Sequence, residues 1–435
     1  KEISMSREEN RKNFSKYVSQ NILGMIGFSC YVLADSYFIS IAKGADGLTA
    51  LNLVMPLYSI IFSIGEMIGV GSAIRYAIGK IKKDADADDY FWNAIIWCIL
   101  SSMLFVFAGI FFSADIMRVL GADEHIVAVG NNYTKIFMCF APMFMCNYVT
   151  NAFVRNDGAP GIAMSATLFS SLFNIVFDYI LMFPMNLGME GAALATALSP
   201  IIGMGICSIH FFSKKSSVRL VVCKPSVRKL VAGSQLGVSA FVGEMSSAVI
   251  TLAFNFVILK LAGNVGVDAY GVVANIAIVT TAVFNGVAQG SQPLISSCFG
   301  RGDKDGCTQL KRMGYTTAFV LAAVMYSILF IFAGQFVAVF NSEGSEMLRI
   351  YATEGVKLYF IGIFFAGINI VGGGAFSATE NAFKAAVVSV ARGFVLILGA
   401  VFVMSALFGM TGVWLAYAVA EGITTFIMLV MALRV

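Results

Sequence analysis

Acidic residues occur inside long apolar stretches of this sequence, where an ionised carboxylate has little water around it. The acids in such stretches are Asp35, Glu66, Asp178, Glu244, Glu354 and Glu421. A charge at the centre of a membrane helix costs at least about 2.5 kcal/mol, and residues that carry one usually mark an ion pathway or a proton relay. Carboxylate oxygens also bind hard cations. These residue types therefore indicate reversible binding of H⁺ or of a small cation such as Na⁺.

Polar residues from different helices are expected at one depth. Asp35 and Asp178 lie six or seven residues before the end of an apolar stretch, and Thr196 lies about seven after the start of another. At 1.5 Å per residue, each sits roughly 10 Å below the same surface. Asn174 shares the helix face of Asp178, and Tyr133 enters its helix at similar depth. The sequence predicts an ion site here, with a structural polar network as the alternative.

The remaining intramembrane acids have simpler interpretations. We expect Glu66 and Glu421 to pair with polar neighbours on other helices, because an unpaired charge in lipid is costly. For Glu354 we expect an ion pair with Lys357, which lies one helical turn away.

The composition is that of a membrane protein. The 435 residues are 58% hydrophobic and 12% charged, with a mean hydropathy of +0.83, whereas soluble domains are about 25% charged. About 20 apolar residues span a bilayer as a helix, and lipid excludes open sheets. The predicted spans 1 to 12 are 17–42, 49–79, 90–113, 128–155, 160–183, 189–212, 230–262, 267–299, 310–334, 347–377, 385–407 and 410–433. The sequence predicts an all-α polytopic membrane protein of twelve transmembrane helices.

Residues 45–212 recur 221 positions later. Gly65 and Gly69 fall on Gly286 and Gly290 at this offset, and the pattern of residues 188–195 recurs at 409–416. Each copy has six spans, an even number, so the second copy begins on the same side of the membrane as the first. Equivalent points of the two copies then face the same side, and the repeat is parallel. We therefore predict a lobe at 1–212, a polar, basic linker at 213–229 and a second lobe at 230–435.

Basic residues predict the orientation. Of the 29 Lys and Arg residues, 23 fall at one set of helix ends, Lys1 and Arg434 among them. Cytoplasmic ends carry the excess of basic residues, so both termini are predicted in the cytoplasm. The net charge of +4 is then a topology signal and no indication of nucleic-acid binding. Residues 1–16 are polar and do not form the apolar region of a signal peptide.

Several motifs resemble those of one transporter family. These are residues 34–40 (ADSYFIS), 153–160 (FVRNDGAP), 174–181 (NIVFDYIL) and 191–196 (GAALAT). In combination they resemble the multidrug and toxic compound extrusion (MATE) family, and residues 153–160 resemble its bacterial, multidrug-exporting branch. The resemblance covers essentially the whole chain.

The resemblance implies a V-shaped, twelve-helix exporter that expels cationic amphiphiles in exchange for H⁺ or Na⁺ by alternating access. Its ion-coupling site, which would hold the H⁺ or the Na⁺, maps onto Asp35, Asn174, Asp178 and Thr196. Its cavity residues map onto Tyr133, Asn147 and Asn151, together with Glu244, which resembles an acid of members with a second-lobe cation. No acid lies between Lys357 and Glu380 to partner Glu244. Span 1 also lacks the early proline of many relatives, so any bending would use Gly24 and Gly27.

Three other classes of protein, a flippase, a channel and an enzyme, fit the sequence less well than an exporter does. A flippase for lipid-linked oligosaccharides or lipids shares the superfamily architecture, but its anionic pyrophosphate calls for buried Arg or Lys, which are scarce in these spans. A passive channel would also line its pore with carboxylates. An enzyme is disfavoured because the sequence has neither an H-E-x-x-H nor a Walker A motif. We expect a monomer in the bacterial plasma membrane, with small-molecule cations as substrates and no cofactor beyond the coupling ion.

Overall fold

The computed structural model describes residues 7–341 and 344–433, so Lys1 and Arg434 lie outside the described residues. Within these ranges the regular structure is helical. The α-helices are α1 Arg7–Lys82, α2 Asp89–Val119, α3 Glu124–Cys139, α4 Ala141–Asn156, α5 Pro160–Met182, α6 Gly188–Phe211, α7 Val227–Gly300, α8 Lys304–Ile331, α9 Ala333–Phe340, α10 Glu346–Tyr359, α11 Ile363–Ala378, α12 Ala382–Val390 and α13 Leu396–Leu433. A 3₁₀ turn, Phe360–Gly362, links α10 to α11, and a π-helical turn, Ala391–Val395, links α12 to α13.

The longest helices contain a sharp break at a glycine. A straight helix of 76 residues, the length of α1, would be about 114 Å long, whereas the hydrocarbon core is about 30 Å thick. The breaks are at Gly44 in α1 (φ 59°), Gly263 in α7 (φ 65°) and Gly409 in α13 (φ 59°). Glycine adopts positive φ without steric cost, so each helix can turn within one residue. Each of these helices therefore supplies two spans or parts of two.

The described residues hold the twelve predicted spans. Nine helical segments are long and apolar enough to cross a membrane, and α3 and α4 qualify as one bent span with an angle of 46°. Two of the nine, Val227–Gly300 and Ala382–Ala432, each contain two spans because of the breaks at Gly263 and Gly409. The predicted all-α architecture and the count of spans are confirmed.

Breaks recur at similar positions in the two copies of the repeat. Phe140 separates α3 from α4, and Phe360–Gly362 separates α10 from α11, about 221 positions later. Gly188 and Gly409, at an offset of 221, both have positive φ. The chain between α6 and α7 is non-helical, and α7 begins at Val227, inside the predicted linker. The lobe boundaries at 212 and 230 stay a prediction.

Hydrophobic packing is divided between the two copies. One large cluster of buried side chains comes from α1 to α6 with Leu236, and another comes mainly from α7 to α13. Phe14 and Val18, at the start of α1, belong to the second cluster, so the chain's beginning packs on the opposite copy. Many large apolar side chains are exposed, for example Leu104 and Phe426. These side chains face outward because the surrounding solvent is lipid.

Glycines bring the two copies into backbone contact. A Cβ atom on Gly71 would lie 1.9 Å from the Gly233 carbonyl oxygen, and one on Gly237 would lie 1.9 Å from that of Met67. Gly286 packs equally closely, since its Cβ would lie 2.6 Å from the Ile22 Cα. Small residues at helix interfaces allow such approach. The copies therefore meet along α1 and α7.

Candidate functional site

Asp35 and Asp178 come together in the interior of the first copy. Asp35 lies in the first half of α1 and is 6% exposed, and Asp178 lies in α5 and is fully buried. Their carboxyl groups interact directly through a side-chain hydrogen bond. Ionised carboxylates are acceptors only, so such a bond requires a proton between them. No donor of the described residues reaches Oδ1 of either side chain. The pair therefore has oxygen atoms free for a proton or a cation.

Asn174 and Thr196 join this pair. With its amide nitrogen toward Asp178, Asn174 donates to Oδ2 at 3.0 Å, and its amide oxygen accepts from the Thr196 hydroxyl at 3.2 Å. Asn174 is fully buried and Thr196 is nearly so. All four residues of the predicted ion-coupling set are thus contiguous, on α1, α5 and α6. Their role in coupling is a prediction that this proximity supports.

Tyrosines surround the carboxylate pair. Tyr133 is buried in α3 and shares a hydrogen bond with the Tyr58 hydroxyl, and the Tyr58 ring stacks on Phe137 with centroids 3.6 Å apart. Tyr31, Tyr58 and Tyr133 all interact electrostatically with both aspartates. The sequence prediction missed Tyr31 and Tyr58. Tyr31 precedes Asp35 by four residues on one helix face, a spacing that could have revealed it.

A cavity of about 120 Å³ lies between the two copies. Of the four predicted cavity residues, Asn147, Asn151 and Glu244 line it, whereas Tyr133 is not among the lining residues. Tyr31 also lies on the wall. Since Tyr31 interacts with Asp35, it connects the cavity with the carboxylate pair.

A chain of polar side chains crosses the cavity wall from one copy to the other. Gln289 of the second copy donates to Glu66 Oε1 at 3.3 Å, and its own Oε1 accepts from Arg155 Nη1 at 2.7 Å. Glu66 therefore has a polar neighbour on another helix, as predicted. Glu66 also interacts electrostatically with Glu244. Two carboxylates and one guanidinium share this wall.

Arg155, which the sequence counts among the basic residues at the predicted cytoplasmic helix ends, lies in the last turn of α4, but its place on the cavity wall was not predicted. It is 4% exposed and lines the cavity near the end of α4. Asn151 is four residues earlier, and its Oδ1 accepts from Arg155 Nη1 at 3.5 Å. That spacing was the available signal, because residues four apart share a helix face.

Two other acids of the second copy, Glu421 and Glu354, have hydrogen-bond partners. Arg392 Nη2 donates to Glu421 Oε1 at 2.6 Å, and Asn369 donates to Glu421 Oε2 at 2.7 Å. Glu421 thus pairs with polar neighbours, as predicted. The predicted pairing of Glu354 with Lys357 is wrong. The Thr411 hydroxyl donates to Glu354 at 2.6 Å, while the Lys357 ammonium lies 5.1 Å from the Phe330 ring centroid.

Among residues 7–341 and 344–433, no group of three or more His, Cys, Asp or Glu side chains is arranged to hold a metal ion.

Comparison with known proteins identifies the family to which the chain belongs. The family model MatE matches residues 21–180 and 240–403. The chain is 26% identical over 410 residues to the multidrug export protein MepA of Staphylococcus saprophyticus, covering 92% of this chain and 89% of that protein. A MepA of Staphylococcus aureus is 27% identical over 414 residues, with the same coverage.

Solved structures show the same fold. An outward-facing multidrug resistance MATE family transporter of the MOP superfamily superposes with a TM-score of 0.91 at 20% identity, covering 98% of this chain and 96% of that one. A MOP superfamily transporter from Pyrococcus furiosus superposes with a TM-score of 0.89 at 19% identity, covering 97% and 95%. Because the MatE model matches well over half of the residues, the chain belongs to the MatE family of membrane transporters.

Proposed function

We propose that this protein is a secondary active antiporter that exports cationic amphiphilic drugs or metabolites in exchange for H⁺ or Na⁺ by alternating access. The observation that carries the proposal is the direct contact of the Asp35 and Asp178 carboxyl groups away from water. A buried pair of this kind is stable only while a proton or a cation lies between the carboxylates. The names of the MepA relatives, multidrug export proteins, support export as the direction.

Ion occupancy is expected to change the position of α1 relative to α5. When the ion leaves, two anions within hydrogen-bonding distance repel, and the repulsion is strong because the surrounding dielectric is low. The helices are tightly packed, since a Cβ on Gly27 of α1 would lie 2.4 Å from Leu168 Cδ2 of α5. Tyr31 of α1 also lines the cavity. Movement of α1 would therefore transmit the state of the ion site to the substrate cavity.

The cavity has the chemistry of a cation site. Glu66 and Glu244 lie on its wall together with aromatic rings, among them Phe62 and Tyr148. Carboxylates in a cavity attract positive charge, and aromatic faces favour organic cations. An amphiphile with a cationic group and an apolar body fits both features.

Contacts at the predicted cytoplasmic side hold the two copies together. Arg75 Nη1 and Lys82 Nζ lie 2.5 and 3.4 Å from the Glu380 carboxylate, and Asn10 donates to Gln309 at 3.2 Å. Each contact joins the first copy to the second. Alternating access requires a conformation in which these contacts are broken.

The flippase is the weaker candidate. Arg155 supplies one buried cation to the cavity, but Glu66 and Glu244 outnumber it there, and this balance disfavours a pyrophosphate. The proposal also includes a multi-pass location in the bacterial plasma membrane, cytoplasmic termini, a monomer, no catalytic activity and no cofactor besides the coupling ion.

Gradient-driven efflux from proteoliposomes tests the proposal. Vesicles that contain the full chain and a cationic dye are exposed to a pH gradient or, separately, to a Na⁺ gradient. We expect one gradient to drive efflux and its dissipation to stop it. Ionic current through planar bilayers without stoichiometric exchange would establish a channel instead, and preferred transport of anionic lipids would establish a flippase.

A further inference from the structure

Another cavity, of about 390 Å³, lies at the outer end of the first copy in the predicted orientation. We call it the outer pocket. It has room for several water molecules, and it shares no lining residue with the cavity between the two copies. Its walls come from the outer end of the first half of α1, the end of α5 and the start of α6, and the lining residues are Ile41, Ala42, Lys43, Met182, Phe183, Asn186, Leu187 and Gly188.

The outer pocket lies on the outer side of the carboxylate pair. The three helices that form it, α1, α5 and α6, also carry all four residues of the predicted ion-coupling set. Ala42 lies seven residues after Asp35, and Met182 lies four residues after Asp178. Both spacings keep a residue on the same helix face. At 1.5 Å per residue, the pocket therefore begins roughly 6 to 10 Å beyond the carboxyl groups.

The carboxylate pair is thus placed between two cavities. Tyr31, four residues before Asp35 on α1, lines the cavity between the copies, whereas Ala42, seven residues after Asp35, lines the outer pocket. The first cavity approaches the pair from the inner side, and the outer pocket approaches it from the outer side. An ion bound by the pair has a possible path in each direction along α1.

Apolar side chains separate the outer pocket from the pair in this structure. Met182 lines the pocket and is 2% exposed, and Ile39, one turn beyond Asp35, is fully buried. Phe183 in the pocket wall packs edge-to-face on Phe38, with ring centroids 6.2 Å apart. We call Phe38, Ile39, Met182 and Phe183 the apolar barrier. An apolar constriction stops ions while it is closed, because it excludes water, and it passes them when its side chains separate.

We propose that the coupling ion reaches the carboxylate pair from outside through the outer pocket and the apolar barrier, and not through the cavity between the two copies. The inference rests on the proposed exchange of substrate for an ion and adds the route of that ion. A separate route keeps the ion and a cationic substrate out of one narrow passage, where like charges repel. Lys43 at the rim is exposed to water, where its charge is screened and does not block a cation.

A chemical block of the outer pocket tests this route. Ala42→Cys puts a thiol in the pocket wall, and Met185→Cys puts one at an exposed position that does not line the pocket. A bulky, membrane-impermeant methanethiosulfonate is added outside proteoliposomes, and its reaction is followed by mass spectrometry. Gradient-driven dye efflux is measured before and after, and dye binding is measured in detergent. The wild type receives the same treatment as a control for the native cysteines.

We expect the reagent to slow gradient-driven efflux by the Ala42→Cys protein at least about fivefold, because the ion route is blocked. Its dye affinity should stay the same. Efflux by the wild type and by the Met185→Cys protein should not change. Undiminished efflux after complete modification at position 42 would overturn the inference. A loss of dye affinity would overturn it too, because the pocket would then join the substrate cavity.

A thiol at the ion site gives an independent test. Thr196→Cys reports the arrival of a small, impermeant, cationic methanethiosulfonate added outside. Phe183→Ala in this background should speed the reaction at least about threefold, because the barrier is opened, and saturating dye should not slow it. The matched control is Phe340→Ala, which removes an exposed ring at the outer end of the second copy. A reaction that dye prevents, or that Phe183→Ala leaves unchanged, would contradict the proposed route.

The route and the exchange can fail separately. Gradient-driven efflux by the unmodified wild type establishes the exchange, whichever path the ion takes. If the wild type shows no driven efflux under either gradient, the exchange is wrong and the inference falls with it.

Discussion

The two copies of the repeat use the same positions for different chemistry. At the offset of 221, Asp178 of the first copy corresponds to Gly399, and Thr196 corresponds to Tyr417. Around Tyr417 the second copy contains stacked rings, with the Tyr359 and Tyr417 centroids 4.4 Å apart. The first copy thus holds a carboxylate pair with an amide and a hydroxyl, where the second holds stacked tyrosines beside the Arg392–Glu421 ion pair. A duplicated scaffold can keep its helices and still place ion chemistry in only one copy.

The buried acids of the two copies also differ in how their charge is compensated. Glu421 has a guanidinium and an amide on its oxygens, whereas no donor of the described residues reaches Oδ1 of Asp35 or Asp178. A compensated acid stabilises a fixed structure, while an uncompensated pair requires a mobile ion. We therefore expect the surroundings of Glu421 to stay fixed and the Asp35–Asp178 pair to respond to an ion.

The largest expected effect concerns the carboxylate pair. Asp35→Asn and Asp178→Asn should each lower gradient-driven dye efflux more than about tenfold, because an amide neither binds a proton nor neutralises a cation. Efflux from proteoliposomes is the measurement, and the exposed Asp115→Asn is the control. If both variants export at wild-type rates while Glu244→Gln alone is inactive, coupling belongs to the second copy.

Substitution of Glu421, whose charge is compensated, should lower stability more than substitution of Asp35 does. Glu421→Gln leaves Arg392 buried without its carboxylate, which should cost about 3 kcal/mol or more of folding free energy. The thermal unfolding midpoint in detergent should fall clearly for Glu421→Gln and stay near the wild type for Asp35→Asn. A clear fall for Asp35→Asn instead would mean that the first pair is structural.

Substitutions at the equivalent positions 196 and 417 provide a matched test with a smaller expected effect. Thr196→Val removes the hydroxyl that binds Asn174, and a lost hydrogen bond of about 1 kcal/mol should raise the half-saturating ion concentration roughly fivefold. Tyr417→Phe, at the equivalent position, should leave that concentration unchanged. Ion titrations of efflux measure both. Equal shifts in the two variants would show that the copies share the ion site.

The smallest effect is expected where the two copies touch. Glu380→Gln removes the charge that holds Arg75 and Lys82, and partly exposed ion pairs contribute at most about 1 kcal/mol. The distance between spin labels on the two cytoplasmic ends should shift toward longer values in part of the population. An unchanged distribution would exclude Glu380 from cytoplasmic closure.

The depth of a residue along its helix could be predicted from the sequence. The residues that contact it from other helices could not. Counting from helix ends placed Asp35, Asp178 and Thr196 in one layer because the rise per residue is constant. The same count put Arg155 at the end of its helix, where it lies, but it did not indicate that its side chain lines the cavity. Likewise, Glu354 was assigned the nearest base in sequence, whereas its partner Thr411 comes from the twelfth span, two spans farther along the chain. Only packing brings such residues together.

The glycine turns at Gly44, Gly263 and Gly409 have a consequence for biogenesis. Each joins two spans with almost no chain between them. We expect such a pair to enter the bilayer as a helical hairpin, because almost no backbone without helical hydrogen bonds would then have to cross the hydrocarbon core. In the predicted orientation, these turns also leave little peptide for an external protease or antibody to reach.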